Sequence, residues 1–240
     1  MSVGLEPPQG RSGDGGFRLL KTTLAACSLV AAVLLAGCES TKLSDTVLGS
    51  SYQPTNVKRR AATLPPTLRR VALLPLAAAT AEGVLEQGRT HLSPVVLAEL
   101  NKAQRFEVVP VSAEQMQRWT GQTAWSAEEK LPLDMLDKVR DETGCQGVLF
   151  VQLTVYRPYP PLAVGWRMKL VEVPETTNVW WAADEVFDAG NEAVSNGARR
   201  HQQSQQSLSS ALQDSHNILG VPRRFGAYTA SALFATLPER

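Results

Sequence analysis

The sequence is short of most features that would mark a specialised chain. It has three cysteines and three histidines in 240 residues, too few for a disulfide-stapled miniprotein or a histidine-rich metal site. Charge of one sign is not in excess: 24 Lys and Arg stand against 23 Asp and Glu. No basic field is therefore available to hold a phosphate backbone, and nucleic acid is excluded as a partner. A P-loop, a G-x-G-x-x-G after a strand, G-x-S-x-G and H-E-x-x-H are all missing. What remains, at 43% hydrophobic residues, is the ordinary composition of one or two globular domains.

The first forty residues differ from the rest. Thr22 to Cys38 (TTLAACSLVAAVLLAGC) is uncharged, follows Arg18 and Lys21, and ends in Leu35-Ala36-Gly37-Cys38. A short cationic region, an apolar region too brief to span a ~30 Å hydrocarbon core, and small residues before a cysteine are the parts of a bacterial export signal. Leu35-Ala36-Gly37-Cys38 looks like a lipobox. That resemblance implies diacylation of the Cys38 sulfur and cleavage before it, with residues 1–37 removed. Met1 to Gly16 is a long run ahead of such a signal, fitting either a downstream start codon or an extended leader.

Cleavage removes three of the 24 basic and two of the 23 acidic residues, leaving 21 of each in a neutral mature chain. Cys27 is discarded and Cys38 lipidated, so Cys145 stands alone and no intrachain disulfide forms. Glu39, not Asp, follows Cys38, which under the sorting rule attached to these lipoproteins implies the periplasmic face of the outer membrane. Residues 38–68 lack a sustained apolar period and stop at Pro65-Pro66, which reads as a flexible tether. Lys58-Arg59-Arg60 within it reads as solvated, with contact to anionic headgroups as the sharper alternative.

The fold is expected over residues 69–240 as a single α/β domain. Val71 to Leu76 is apolar on both faces of a period-two strand. Leu85, Leu92, Val96, Leu100 and Ala103 recur at helical spacing, with Ser93-Pro94 offering either an interruption or a fresh cap. Phe106 to Val111 reads as a second strand, at a sheet edge because of Pro110. Ser112-Ala113-Glu114-Gln115 has the form of a capping box for a short helix turning Met116 and Trp119 inward. A further helix is expected from Pro132 through Leu133, Leu136 and Val139 to a C′ glycine, Gly144.

Three strands follow, Val148 to Tyr156, Leu162 to Val173 and Asn178 to Val186. The order β-α-β-α-α followed by an antiparallel meander gives a mixed sheet between helices, a three-layer sandwich, with a last helix after Gly220-Val221-Pro222 docking on the sheet. About residues 190–215 the chain is polar, and Arg199 to Gln213 within it, poor in apolar residues apart from Leu208, Ala211 and Leu212, is expected as an exposed, mobile helix or loop.

Chemistry-bearing residues are sparse. His91, His201 and His216 lack partners at metal-ligand spacing, so neither metal nor cofactor is expected, and Cys145 before an apolar strand reads as a packing residue. The best catalytic grouping is His91 with Ser93 and one of Asp134, Asp137 or Asp141, each better explained by helix capping or a solvated face. Trp180-Trp181 on one strand suggests a ring on each sheet face, and Trp180, Trp181 and Tyr159 are the candidate partner contacts.

Arg70 to Leu76 (RVALLPL), Leu97-Ala98-Glu99-Leu100, Arg105 to Val111 (RFEVVPV) and Thr143 to Phe150 (TGCQGVLF) resemble a group of envelope proteins. The group comprises the curli secretion channel lipoprotein (CsgG-like), the Pel exopolysaccharide lipoprotein, lipoprotein activators of penicillin-binding proteins, and the amino-terminal domain of TolB. The resemblance implies a non-enzymatic α/β domain that works through envelope-protein contacts, often as a homo-oligomer. Two departures stand out. The hairpin Val148 to Val173 carries Arg167 and Lys169 on one face, unlike a membrane-inserting hairpin, and Gly144-Cys145-Gln146 stands where relatives commonly have Gly-Ala-Asp.

Overall fold

The computed structural model describes residues 49–80, 83–126, 128–173, 178–205 and 217–240. The expected signal segment 1–37, Cys38 and the start of the tether lie outside the described residues, as do 206–216 of the polar segment. Among the described residues one mixed sheet of seven strands packs with five helices and does not close into a barrel.

The strands are β1 (Val57–Arg59), β2 (Arg70–Leu73), β3 (Ala77–Ala78), β4 (Glu107–Pro110), β5 (Gly147–Arg157), β6 (Ala163–Glu172) and β7 (Val179–Asp188). Their order is β1-β7-β6-β5-β2-β4, with β3 continuing the line of β2 along β5. β2 pairs in parallel with β4 and β5, while β5, β6, β7 and β1 are successively antiparallel. The switch from crossovers to a meander falls at β5, and the proline-bearing β4 is an edge, both as the sequence pattern requires.

The helices are α1 (Gly83–Ala103), α2 (Ala113–Thr120), α3 (Met135–Thr143), α4 (Glu192–Gln205) and α5 (Pro222–Phe234). On one sheet face Leu92, Val96 and Leu100 of α1, Val194 and Ala198 of α4, and Phe225 and Leu233 of α5 join Val71, Leu149, Trp166 and Trp181. On the other, Met116 of α2 and Met135, Leu136 and Val139 of α3 join Ala72, Val148 and Phe150. β2 thus sends alternate residues into two cores, which is why its run is apolar throughout. At about 1.5–3 kcal/mol per fully buried large apolar side chain, these two cores carry the fold.

Local signals act where they were read. Ser112 Oγ accepts from the Gln115 N–H at 3.1 Å, and the Ser112 N–H donates to Gln115 Oε1 at 2.8 Å, the reciprocal bonds of a capping box. Gly144 ends α3 at φ 65° and donates its N–H to the Arg140 carbonyl. Pro94 interrupts nothing: α1 is continuous through it, because Leu92, Val95 and Val96 around it are all buried.

Three expectations need correction. The tether is far shorter than residues 38–68. The Tyr52 N–H donates to the Ala193 carbonyl at 3.0 Å, Val57–Arg59 pairs with β7, and Leu64 and Leu68 are buried. The segment is an extended strap held by isolated anchors, and such spacing shows no period. Next, Leu133 precedes α3 and is fully exposed rather than inward-facing, the helix starting at Met135. Finally, the run expected to be exposed from Arg199 is helical up to Gln205 within α4, and Gln202 in it is buried.

Candidate functional site

The catalytic grouping considered above does not assemble. His91 and Ser93 sit on α1 against one sheet face, whereas Asp134, Asp137 and Asp141 belong to α3 and the loop before it, which pack on the other. The aspartates are satisfied locally: Lys138 pairs with Asp134 at 2.8 Å, and Arg140 with Asp137 and Asp141 at 3.0 and 3.1 Å. His201 is half-buried beside Tyr228, and burial lowers its pKa despite the nearby Glu99 carboxylate. Cys145 is a buried free thiol whose pKa burial pushes up, the opposite of nucleophile activation. His216 lies outside the described residues.

The three candidate partner contacts divide. Trp181 is 0% exposed, and its indole N–H donates to Thr236 Oγ1 at 2.9 Å, so it is core and not contact surface. Trp180 was expected on the opposite face. A bulge in the β6–β7 ladder, where Leu170 pairs with Trp181 but Val171 with Val179, lets it pack against the same core. It is half-buried, donates to Glu172 Oε2 at 3.2 Å, and lies under the Arg60 guanidinium, 5.3 Å from its ring centroid. Tyr159 is 76% exposed at the β5–β6 turn.

Arg167 and Lys169, read in the sequence only as polar residues of a hairpin, line an open groove with residues that sequence reasoning did not connect to them. α2 and α3 are short and serve the core under β2 and β5, so the outward residues of β6 and β7 on that side line an open groove of about 260 Å³. Arg167 and Lys169 of β6, Ala182 and Asp184 of β7, Lys58 of β1, Asn56 and Glu128 surround it. Arg167 bridges two acids, its Nη1 donating to Glu128 Oε2 at 2.6 Å and its Nε to Asp184 Oδ2 at 2.8 Å. Such half-exposed pairs contribute about 0–1 kcal/mol each to stability. Their consequence is positional: they fix alternating charges across a flat, twisted surface. That geometry suits recognition of a polar protein surface.

A second feature was also missed. Glu185 points from β7 toward the helical core, 9% exposed, and accepts the Tyr52 hydroxyl at 2.6 Å and the Thr55 and Asn56 N–H groups at 2.8 and 3.0 Å. An acid alternating with Trp181, Ala183 and Phe187 on an inward strand face was the signal, because a buried carboxylate requires donors. Those donors are the strap.

No protein-family profile and no curated protein matches this chain. Solved structures similar to it include a PelC dodecamer from Paraburkholderia phytofirmans, 12% identical over 77% of this chain and 98% of that one, with a TM-score of 0.41. Lipoprotein GNA1162 from Neisseria meningitidis is 15% identical over 50% of this chain and 79% of its own, with a TM-score of 0.35. The LpoB C-terminal domain from Salmonella enterica is 16% identical over 51% and 84%, with a TM-score of 0.31.

Proposed function

We propose that this protein is a lipoprotein anchored through Cys38 to the periplasmic face of the outer membrane, whose α/β domain scaffolds or regulates an envelope complex by contact rather than catalysis. A secretion or polysaccharide-export assembly is the complex we favour. The observation that carries this reading is Leu35-Ala36-Gly37-Cys38 behind an uncharged, apolar run and ahead of a folded domain. The open sheet face around Arg167 and Asp184 is the surface we assign to the partner.

Two other readings are weaker for stated reasons. A regulator of a peptidoglycan synthase needs reach, and only 12 residues separate Cys38 from Ser51, whose hydroxyl already accepts from Arg200 of the domain. At ~3.3–3.6 Å per residue they extend to at most about 50 Å. A periplasmic hydrolase using His91 and Ser93 needs an acid that α3 presents on the wrong side of the sheet.

The test is Ala182→Arg, which fills the groove without touching either core. Export of the cognate substrate should fail while the protein's level and its membrane fraction stay at wild-type values. Export unchanged in Ala182→Arg, or lost in a His91→Ala, Ser93→Ala double variant, would overturn the assignment.

A further inference from the structure

The strap places Lys58, Arg59 and Arg60 on the free edge of the sheet. β1 pairs with β7 on one side only. Lys58 and Arg59 are exposed, and neither side chain forms an ion pair or hydrogen bond among the described residues. Successive side chains of a strand point to opposite sides. Lys58, paired with Ala182, therefore leans toward the open groove, and Arg59, paired with Trp181, leans toward the helical side. The next residue, Arg60, covers the half-buried Trp180 and donates from Nη1 to Asn178 Oδ1 at 2.6 Å. The nearby acids are engaged: Asp184 by Arg167, Glu185 by Tyr52 and the strap amides, and Glu172 by Trp180 and Asn178. The edge is thus a row of three cations, flanking it on both sides, with an indole at its end.

We infer that this edge docks on an anionic bilayer surface, so that the domain stands with β1 against the membrane that carries its anchor. The inference rests on the reading of Cys38 as lipidated, because the length of the tether brings the edge there. Twelve residues lie between Cys38 and Ser51, and even at full extension, ~3.3–3.6 Å per residue, they could span no more than about 50 Å. Lys58 follows Tyr52 by six residues of extended strap. The edge is therefore held within reach of the headgroups, where cations flanking an amphipathic indole match the chemistry of the interface. A basic edge also discourages strand addition by other chains, and the experiment separates that role from membrane docking.

The mature chain from residue 38, with Cys38→Ser so that no lipid is attached, is sedimented with vesicles of phosphatidylglycerol and phosphatidylcholine, or of phosphatidylcholine alone, at low and moderate salt. The expected result is binding to the anionic vesicles only, weakened by salt. At about fivefold per cation, the Lys58→Ser, Arg59→Ser, Arg60→Ser variant should lose roughly 100-fold in partitioning. The Lys58→Ser, Arg59→Ser double variant, which leaves Arg60 on Trp180, should lose roughly 25-fold and retain the wild-type melting midpoint. An Arg223→Ser, Arg224→Ser variant, which removes exposed charge from α5 instead, should bind as wild type. Equal binding to both vesicle types, or equal loss in the α5 variant, would overturn the inference and leave the cations as guards of the edge. The vesicle assay uses no acyl chain, so its failure is distinguishable from failure of lipidation at Cys38.

Discussion

Replacing Glu185 by alanine should release the strap without unfolding the domain. In the native protein the carboxylate accepts three hydrogen bonds, from Tyr52 Oη at 2.6 Å and from the Thr55 and Asn56 amides at 2.8 and 3.0 Å. Bonds to a charged acceptor are worth about 1.5–3 kcal/mol each, but a strap that detaches recovers water on the freed groups. We therefore take about 3 kcal/mol as the drop in its opening free energy, which is a roughly 150-fold rise in the detached population. Lys58-Arg59-Arg60 makes this measurable, because trypsin cannot cleave within a paired strand. When opening is fast relative to cleavage, the cutting rate follows the open population. Limited proteolysis read by mass spectrometry at these three bonds should show cleavage accelerated about 150-fold in Glu185→Ala and about fivefold in Tyr52→Phe, which removes one bond. The thermal midpoint should fall less than a global loss of the same energy would require, since Trp166, Leu149 and Phe225 keep their contacts. Unchanged cleavage in Glu185→Ala would refute the idea that this carboxylate holds the strap.

Three further outcomes follow from the same geometry. Trp181→Ala should cost about 3–5 kcal/mol in denaturant unfolding, whereas Tyr159→Ala should stay within about 0.5 kcal/mol; the reverse order would return Trp181 to the surface. A Cβ on Gly88 would lie 2.6 Å from Tyr156 Cγ and 2.8 Å from Leu153 Cδ2. Gly88→Ala should therefore destabilise by about 1–2 kcal/mol despite its gain in helix propensity, and Tyr156→Leu in the same chain should recover part of the loss. Burial, then the hydrogen bond to Glu185, pushes the Tyr52 phenol up to about 12, and burial does the same for Tyr228. These groups ionise near 10 when unfolded, so between pH ~10 and ~12 only the unfolded chain releases their protons and stability falls as pH rises. An absorbance titration should show late-ionising tyrosines that include these two beside Tyr156, which burial also raises, with one fewer in Tyr52→Phe and one fewer in Tyr228→Phe.

What could be read from the sequence was whatever repeats. β2 alternates between two cores, α2 declares itself by Ser112 and Gln115, and Gly144 marks the end of α3, because period and capping are local properties of the chain. The strap repeats nothing. Tyr52, Val57, Leu64 and Leu68 reach the domain one at a time, and the partners that hold them, Glu185 and β7 for the first two and the last residues of the chain, Glu239 and Arg240, for the others, lie more than a hundred residues later. The site was hidden by tertiary pairing as well: Arg167 is visible with Lys169 as a polar residue on a mostly apolar strand, but its bridge to Glu128 and Asp184 exists only once β6, β7 and the loop before α3 are brought together. Trp180 failed for another reason, since a one-residue bulge reverses the face that alternation assigns.

The central claim is that a lipid on Cys38 holds this domain at a membrane. Intact-mass and peptide mass spectrometry of the protein purified from membranes of its native type of cell tests it most directly. A lipid anchor there requires a mature chain beginning at Cys38 and carrying acyl chains, with Cys38→Ala neither acylated nor cleaved at that point. A mature chain that begins elsewhere, or that begins at Cys38 with an unmodified thiol, would contradict it.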